Sequence, residues 1–194
     1  MENTLSNAII LANEKDSVRE ILTLRLSLYI IITVLGISAC RHDNPSEPMC
    51  RVAPQDAARG TNIPLSTHSA CLIRLNDQVL SIQYSRSEKM DVPSGVIRHD
   101  ESAQCAAHRH TWQTTGFNVE VGRYLGSDEN NTQYYQCTLA GNFTGSLQTF
   151  PVPPWAKSKV SNIQLIDPFV VQNSDWQGKN RLVLILDMFN LSED

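Results

Sequence analysis

The chain has no basic surplus: among its 194 residues, 16 Lys and Arg stand against 20 Asp and Glu, a formal charge of −4. Binding to duplex nucleic acid needs clustered cations to neutralise phosphates, so this balance argues against such a partner. No tandem repeat or low-complexity tract is present, which sets aside solenoids and arrays. The GxSxG elbow, the P-loop and HExxH are all missing, and with them three common hydrolytic or nucleotide-binding chemistries. None of the five cysteines shows CxxC spacing, so a zinc knuckle has no support. What is present is ordinary for a folded protein: 41% hydrophobic and 19% charged residues, enough length for one domain and a tail.

The longest charge-free apolar run is LSLYIIITVLGISA, residues 26–39. A spanning helix needs about twenty residues, so this length suits the apolar part of a secretory signal better. Residues Ile37 to Cys40, ISAC, resemble a bacterial lipobox, whose cysteine becomes lipidated. Residues 1–40 therefore read as a signal or lipoprotein-type segment, with a short uncleaved anchor or a buried helix as alternatives. The lead fits poorly: Glu2, Glu14, Asp16 and Glu20 outnumber Lys15, Arg19 and Arg25, whereas signal leads are net positive. A later start near Leu22 or Leu24 would leave Arg25 as a simple basic lead. Residues 41–68, opening RHDNPSEP, read as a tether and lead-in. The expectation is an exported protein, periplasmic or held to the membrane through its N-terminus. Cys50, Cys71, Cys105 and Cys137 then suit two disulfides of open connectivity, or buried thiols.

Residues 69–194 read as one α/β domain. ACLIRLN (70–76) and QVLSIQY (78–84) predict two strands joined by a tight turn at Asn76-Asp77. VPSG (92–95) is a breaker cluster. Residues 102–115 predict a helix, with Ala103, Ala106 and Ala107 as strong formers and Gly116 at the stop. FNVEVGRYLG (117–126) and TQYYQCTLAG (132–141) predict strands around the polar loop SDENN (127–131). FPVPPWA (150–156) is a proline-stiffened connection, KVSNIQLID (159–167) another strand, and GKNRLVLILDMFN (178–190) a docked helix. Strands, helix, strands, helix give mixed α/β layers rather than a doubly wound parallel sheet.

Within this order lies GVIRHDESAQCAAHRHTWQTTGF, residues 95–117. Gly95, Glu101 after five intervening residues, Arg109 after seven more, then Gly116 and Phe117, reproduce the spacing of G-x5-E-x7-R-E-U-x-E-E-x-G-U. The stretch resembles the Nudix box, with a hairpin before it, VPSG in place of the usual Pro-Gly-Gly, and a strand after. The resemblance runs from about Ser69 to Asn190 and is nearest to the exported bacterial branch, sometimes fused to a phosphatidic-acid-phosphatase-like membrane domain. It implies a Nudix-like α/β/α sandwich with a mixed sheet. It also implies hydrolysis of nucleoside diphosphate-linked compounds with Mg²⁺ or Mn²⁺, with Glu101 and Arg109 in supporting roles as an ion pair.

The departures bear on that chemistry. At the three positions where the family places metal-binding Glu residues, this chain has His110, Gln113 and Thr114, and the bulky aliphatic slot holds Thr111. Offsets i, i+3 and i+4 put the three on one helical stripe, where carboxylates would hold Mg²⁺ against a diphosphate and polarise water. Two unit charges about 4 Å apart interact by roughly 4 kcal/mol at an effective dielectric near 20, so losing three acids weakens the site severely. Asp128 and Glu129, in the loop where the family often places a further acid, are candidates to compensate. His110 suits a softer ion such as Zn²⁺ or Mn²⁺, with His108 facing elsewhere. The plainer reading of His99, His108 and His110 is a solvated polar helix face. Trp112, Trp155, Trp176, Tyr124, Tyr134 and Tyr135 would stack on a base or, more simply, fill the core. Tyr134 and Tyr135, adjacent in a strand, must point to opposite faces.

Overall fold

The computed structural model describes residues 45–54, 66–141 and 147–192. The apolar run 26–39 and Cys40 lie outside the described residues. The chain separates into units Met1–Pro45 and Ser46–Asp194, and everything below concerns the second.

Two sheets form it. The first has the order β5-β1-β7-β6, with β1 (His68–Leu72), β5 (Ser94–Val96), β6 (Val119–Ser127) and β7 (Thr132–Leu139). It is mixed, because β1 runs parallel to β7 while the other neighbours are antiparallel. The second is antiparallel, in the order β2-β3-β9-β8: β2 (Arg74–Leu75), β3 (Gln78–Tyr84), β9 (Val160–Ile166) and β8 (Thr149–Phe150). A short β4 (Met90–Asp91) also pairs with β3.

The expected hairpin of 70–76 with 78–84 is corrected here. Only Arg74–Leu75 pairs with β3, across a turn in which Asn76 takes φ 53°. The preceding residues belong to the other sheet, so the chain changes sheets at Ile73. Ala70, Cys71, Leu72 and Ile73 are all fully buried. A run apolar on both faces marks a strand covered from both sides. The VPSG cluster likewise contains a strand residue: Gly95 pairs with Ser69 at the sheet edge.

Helix α1 (Ala103–Thr115) starts where its sequence dictates. The hydroxyl of Ser102 accepts the N–H of Cys105 at 3.2 Å, and Gly116, at φ 75°, sends its N–H to Trp112 O. Helix α2 (Arg181–Leu191) begins after Asn180 in the left-handed region, with the Leu182 N–H capped by Asn173 Oδ1 at 3.1 Å. The helices cover opposite faces of the first sheet. Ala103 and Ala107 of α1 pack with Cys71, Tyr135 and Cys137. Ile185, Met188 and Phe189 of α2 pack with Ala70, Leu72 and Tyr134, the alternate positions of the same strands.

The cysteines pair as Cys71–Cys137 and Cys50–Cys105. The first joins β1 to β7 inside the core, where its cysteines are 0% and 2% exposed. The second fastens the described part of the lead-in to the domain. Residues 45–54 form a strap fastened to α1 at Cys105 and to β6, where Ala53 N–H donates to Val121 O and Val121 N–H to Arg51 O, both at 2.9 Å.

Candidate functional site

The box builds its loop around an ion pair. Glu101 receives Arg109 in bidentate fashion, from Nε at 2.7 Å and from Nη2 at 2.6 Å. The same Nη2 donates to Val96 O at 2.9 Å, and the Arg98 N–H donates back to Glu101 Oε2 at 2.9 Å. Chiefly through its hydrogen bonds with Arg109, Glu101 stays below the usual carboxylate range. The two sequence-predicted partners are thus brought together, and their joint effect is to tie the loop 96–101 to α1.

The three positions of the metal stripe hold neutral side chains already engaged elsewhere. His110 is partly buried, and burial is the main cause that lowers its pKa, so the ring is neutral at physiological pH. Its Nε2 lies 2.9 Å from Val96 O, a contact that requires Nε2 to carry the proton. Nδ1 keeps the lone pair but packs against Gly95, where a Cβ would come within 2.4 Å of it. Gln113 donates through Nε2 to Glu47 of the strap, and its Oε1 accepts Arg109 Nη1 at 3.4 Å. The Thr114 hydroxyl donates to His110 O at 2.7 Å, along its own helix. For Mg²⁺ or Mn²⁺ this donor set does not fit, since hard divalent ions take anionic and carbonyl oxygens while the three side chains are neutral and bonded to protein. Among the described residues, no three His, Cys, Asp or Glu side chains gather closely enough to hold a metal ion.

The solvated helix face expected for the histidines is corrected for His108. It is 2% exposed, with Nε2 at 2.9 Å from Asn118 Oδ1. Thr111, Thr114 and Thr115 are also buried, each hydroxyl satisfied by a carbonyl three or four residues back. A polar helix can enter the core when its side chains bond to their own backbone. His99 does remain exposed, 2.7 Å from Asp100.

Asp128 is placed away from the stripe. Its Oδ1 accepts the N–H groups of Asn130 and Thr132, and its Oδ2 accepts Tyr134 Oη at 3.2 Å and Arg181 Nη1 at 3.1 Å. Arg181 also faces Asp91 at 3.6 Å and lies 5.6 Å from the Tyr134 ring centre. This buried Asp91–Arg181–Asp128 group was not anticipated from sequence; an acid between Met90 and Val92 was its local signal. Burial pushes Asp91 up to about 6, against the opposing pull of Arg181. Glu129 lines a cavity of about 230 Å³ beside Lys179 and Arg181.

A larger cavity, of about 640 Å³, opens on the other side of Asp91, with Tyr84, Arg86 and Lys159 among its walls. Of the expected aromatics, Tyr134 and Tyr135 divide between the two core clusters, Trp176 is buried, and Tyr124 packs edge-on against Tyr135. Trp112 and Trp155 are half-buried and stack on each other at 5.6 Å. None of these six lines the larger cavity.

No protein-family model matches the chain. A MutT-like protein from Streptomyces ambofaciens is 30% identical over 82 residues, which is 41% of this chain and 51% of that protein. The chain thus spans about half the length of the curated relative it matches. An ADP-ribose pyrophosphatase from Streptococcus suis superposes with a TM-score of 0.53 at 16% identity, over 66% of this chain and 91% of that one. A Nudix-family hydrolase from Clostridium perfringens gives 0.48 at 17% identity, over 65% and 97%. In this chain the stretch 95–117 runs from β5 through the loop into α1, within a mixed sheet covered by two helices. In fold, the chain is similar to the Nudix-type ADP-ribose pyrophosphatase of Streptococcus suis, and in part of its sequence to a MutT-like protein.

Proposed function

We propose that this chain is a Nudix-fold protein whose Mg²⁺-dependent hydrolysis is lost or strongly reduced, and that it binds a nucleoside diphosphate-type ligand without turning it over. The observation that carries the reading is the occupation of the metal stripe by His110, Gln113 and Thr114, each bonded to protein. Hydrolysis on this scaffold needs anionic side chains that hold divalent ions against the diphosphate and polarise water. Glu101 is no substitute, because both its oxygens are taken by Arg109.

The larger cavity is the place for the ligand. Its volume suits a small-molecule site, and Arg86 and Lys159 offer cations to phosphates while Asp91 offers an acceptor at the base. The proposal includes a location outside the cytoplasm, exported or membrane-anchored. Two paired disulfides and the lipobox-like ISAC before the strap support that location.

The test is turnover. The natural chain and a His110→Glu/Gln113→Glu/Thr114→Glu variant are assayed with ADP-ribose, UDP-glucose and dinucleotide polyphosphates in Mg²⁺, Mn²⁺ and Zn²⁺. Turnover only in the variant, with ligand binding in both, is the expected result. Ordinary turnover by the natural chain would establish the competing reading, a working enzyme with a rewired site.

A further inference from the structure

We propose that the Cys50–Cys105 disulfide is a redox latch: closed, it holds the strap 45–54 along the box helix; reduced, it lets the strap go. The strap runs antiparallel to α1. Glu47 meets Gln113 near the helix end, and Cys50 meets Cys105 near its start. Three extended residues reach about 10 Å, close to the roughly 12 Å rise of eight helical residues. Cys105, Arg109 and Gln113 follow at i, i+4 and i+8, so the strap lies over the stripe that carries the buried Arg109–Glu101 pair.

Little besides the disulfide holds the strap in place. Neither core cluster includes a strap residue; Ala53 is buried at 6% exposed, whereas Met49 is 88% exposed. Its ion pairs, Glu47 with Arg98 and Arg51 with Glu120, are both 3.5 Å and largely solvated. Such pairs contribute little. Two backbone hydrogen bonds around Val121 and the hydrogen bond from Gln113 to Glu47 add to the attachment. Among the described residues, Ala53 is the strap's buried apolar anchor, so the strap depends largely on its covalent bond.

The two disulfides differ in access. Cys71–Cys137 is sealed in the core, whereas Cys50 is exposed and Cys105 half-exposed. A dithiol reductant therefore reaches the outer bond first. Its thiolate attacks one sulfur of the pair and the protein S–S bond breaks. The reductant's second thiol then attacks the reductant sulfur of the mixed disulfide and expels the protein sulfur, leaving two protein thiols and a cyclic oxidised reductant, with two electrons and two protons transferred. Release takes the Glu47 carboxylate from Arg98 and Gln113 and opens the outer edge of β6.

The experiment uses the full chain, titrated with dithiothreitol and followed by thiol labelling with mass spectrometry and by amide exchange. Labels are expected on Cys50 and Cys105 before Cys71 or Cys137. At that point exchange at Ala53 and Val121 should rise at least tenfold while β1 and β7 stay protected, and reoxidation should restore the slow exchange. A Cys50→Ser variant should show the released pattern without reductant. Simultaneous reduction of both disulfides would overturn the proposal. So would Ala53 and Val121 staying protected with Cys50 and Cys105 as free thiols, or in the Cys50→Ser protein.

Discussion

Gly95 and His110 share one space: a Cβ at position 95 would stand 2.1 Å from Cε1 of the His110 ring. The first glycine of the box is thus matched to an imidazole that stands where the family places a carboxylate. The ring packs on Gly95 and donates to the Val96 carbonyl beside it.

That relationship predicts a coupled pair. Gly95→Ala forces the ring aside and should cost about 1–3 kcal/mol of stability, as overpacking does. In a His110→Ala background the same change should cost far less, because the competing ring is gone. Urea unfolding of both single variants and the double variant checks it. Additive losses would contradict the contact.

Glu101 and Arg109 predict a loss of stability in acid. A carboxyl held below its ordinary value by a guanidinium contributes stability above its unfolded value, near 4.5, that is lost as pH falls through the lower folded value. Between pH 6 and 3, the natural chain should therefore lose more stability than Glu101→Gln. Removing one partner near neutral pH should cost about 3 kcal/mol, and Glu101→Leu with Arg109→Met less than either alone.

Asp91 works with the opposite sign. Its folded value of about 6 exceeds the ordinary 3.8, so the folded state binds the proton more tightly and loses stability as pH rises between them. The window corresponds to something on the order of 3 kcal/mol. Asp91→Asn should therefore gain on the natural chain from pH 4 to 6 and hold a constant difference above. Unfolding curves across that range measure it; a difference that shrinks with pH would contradict the buried, proton-binding Asp91.

Local rules made part of this structure legible. Ser102 and Gly116 bracket α1 because a hydroxyl and a left-handed glycine satisfy helix ends wherever they occur. The Glu101–Arg109 pair followed from resemblance and spacing. Non-local effects stayed hidden. The sheet change at Ile73 depends on β5 and β7 flanking β1, which no local pattern encodes. The burial of His108 and three threonines reads as polar in sequence because their partners lie on the helix backbone or on Asn118. Glu47 reached the box only through the Cys50–Cys105 bond, and the sequence left its pairing open.

The inner disulfide should behave as a staple. Cys71→Ala with Cys137→Ala removes a 66-residue crosslink from the core and should lower stability by about 2–5 kcal/mol. Chemical denaturation under non-reducing conditions is the measurement. An unchanged midpoint would contradict the pairing.

Calorimetric titration with Mg²⁺ tests the central claim most directly. The natural chain should give no saturable heat at concentrations that saturate a folded His110→Glu/Gln113→Glu/Thr114→Glu variant. A saturable Mg²⁺ isotherm from the natural chain, abolished by changes at those same three positions, would contradict the account.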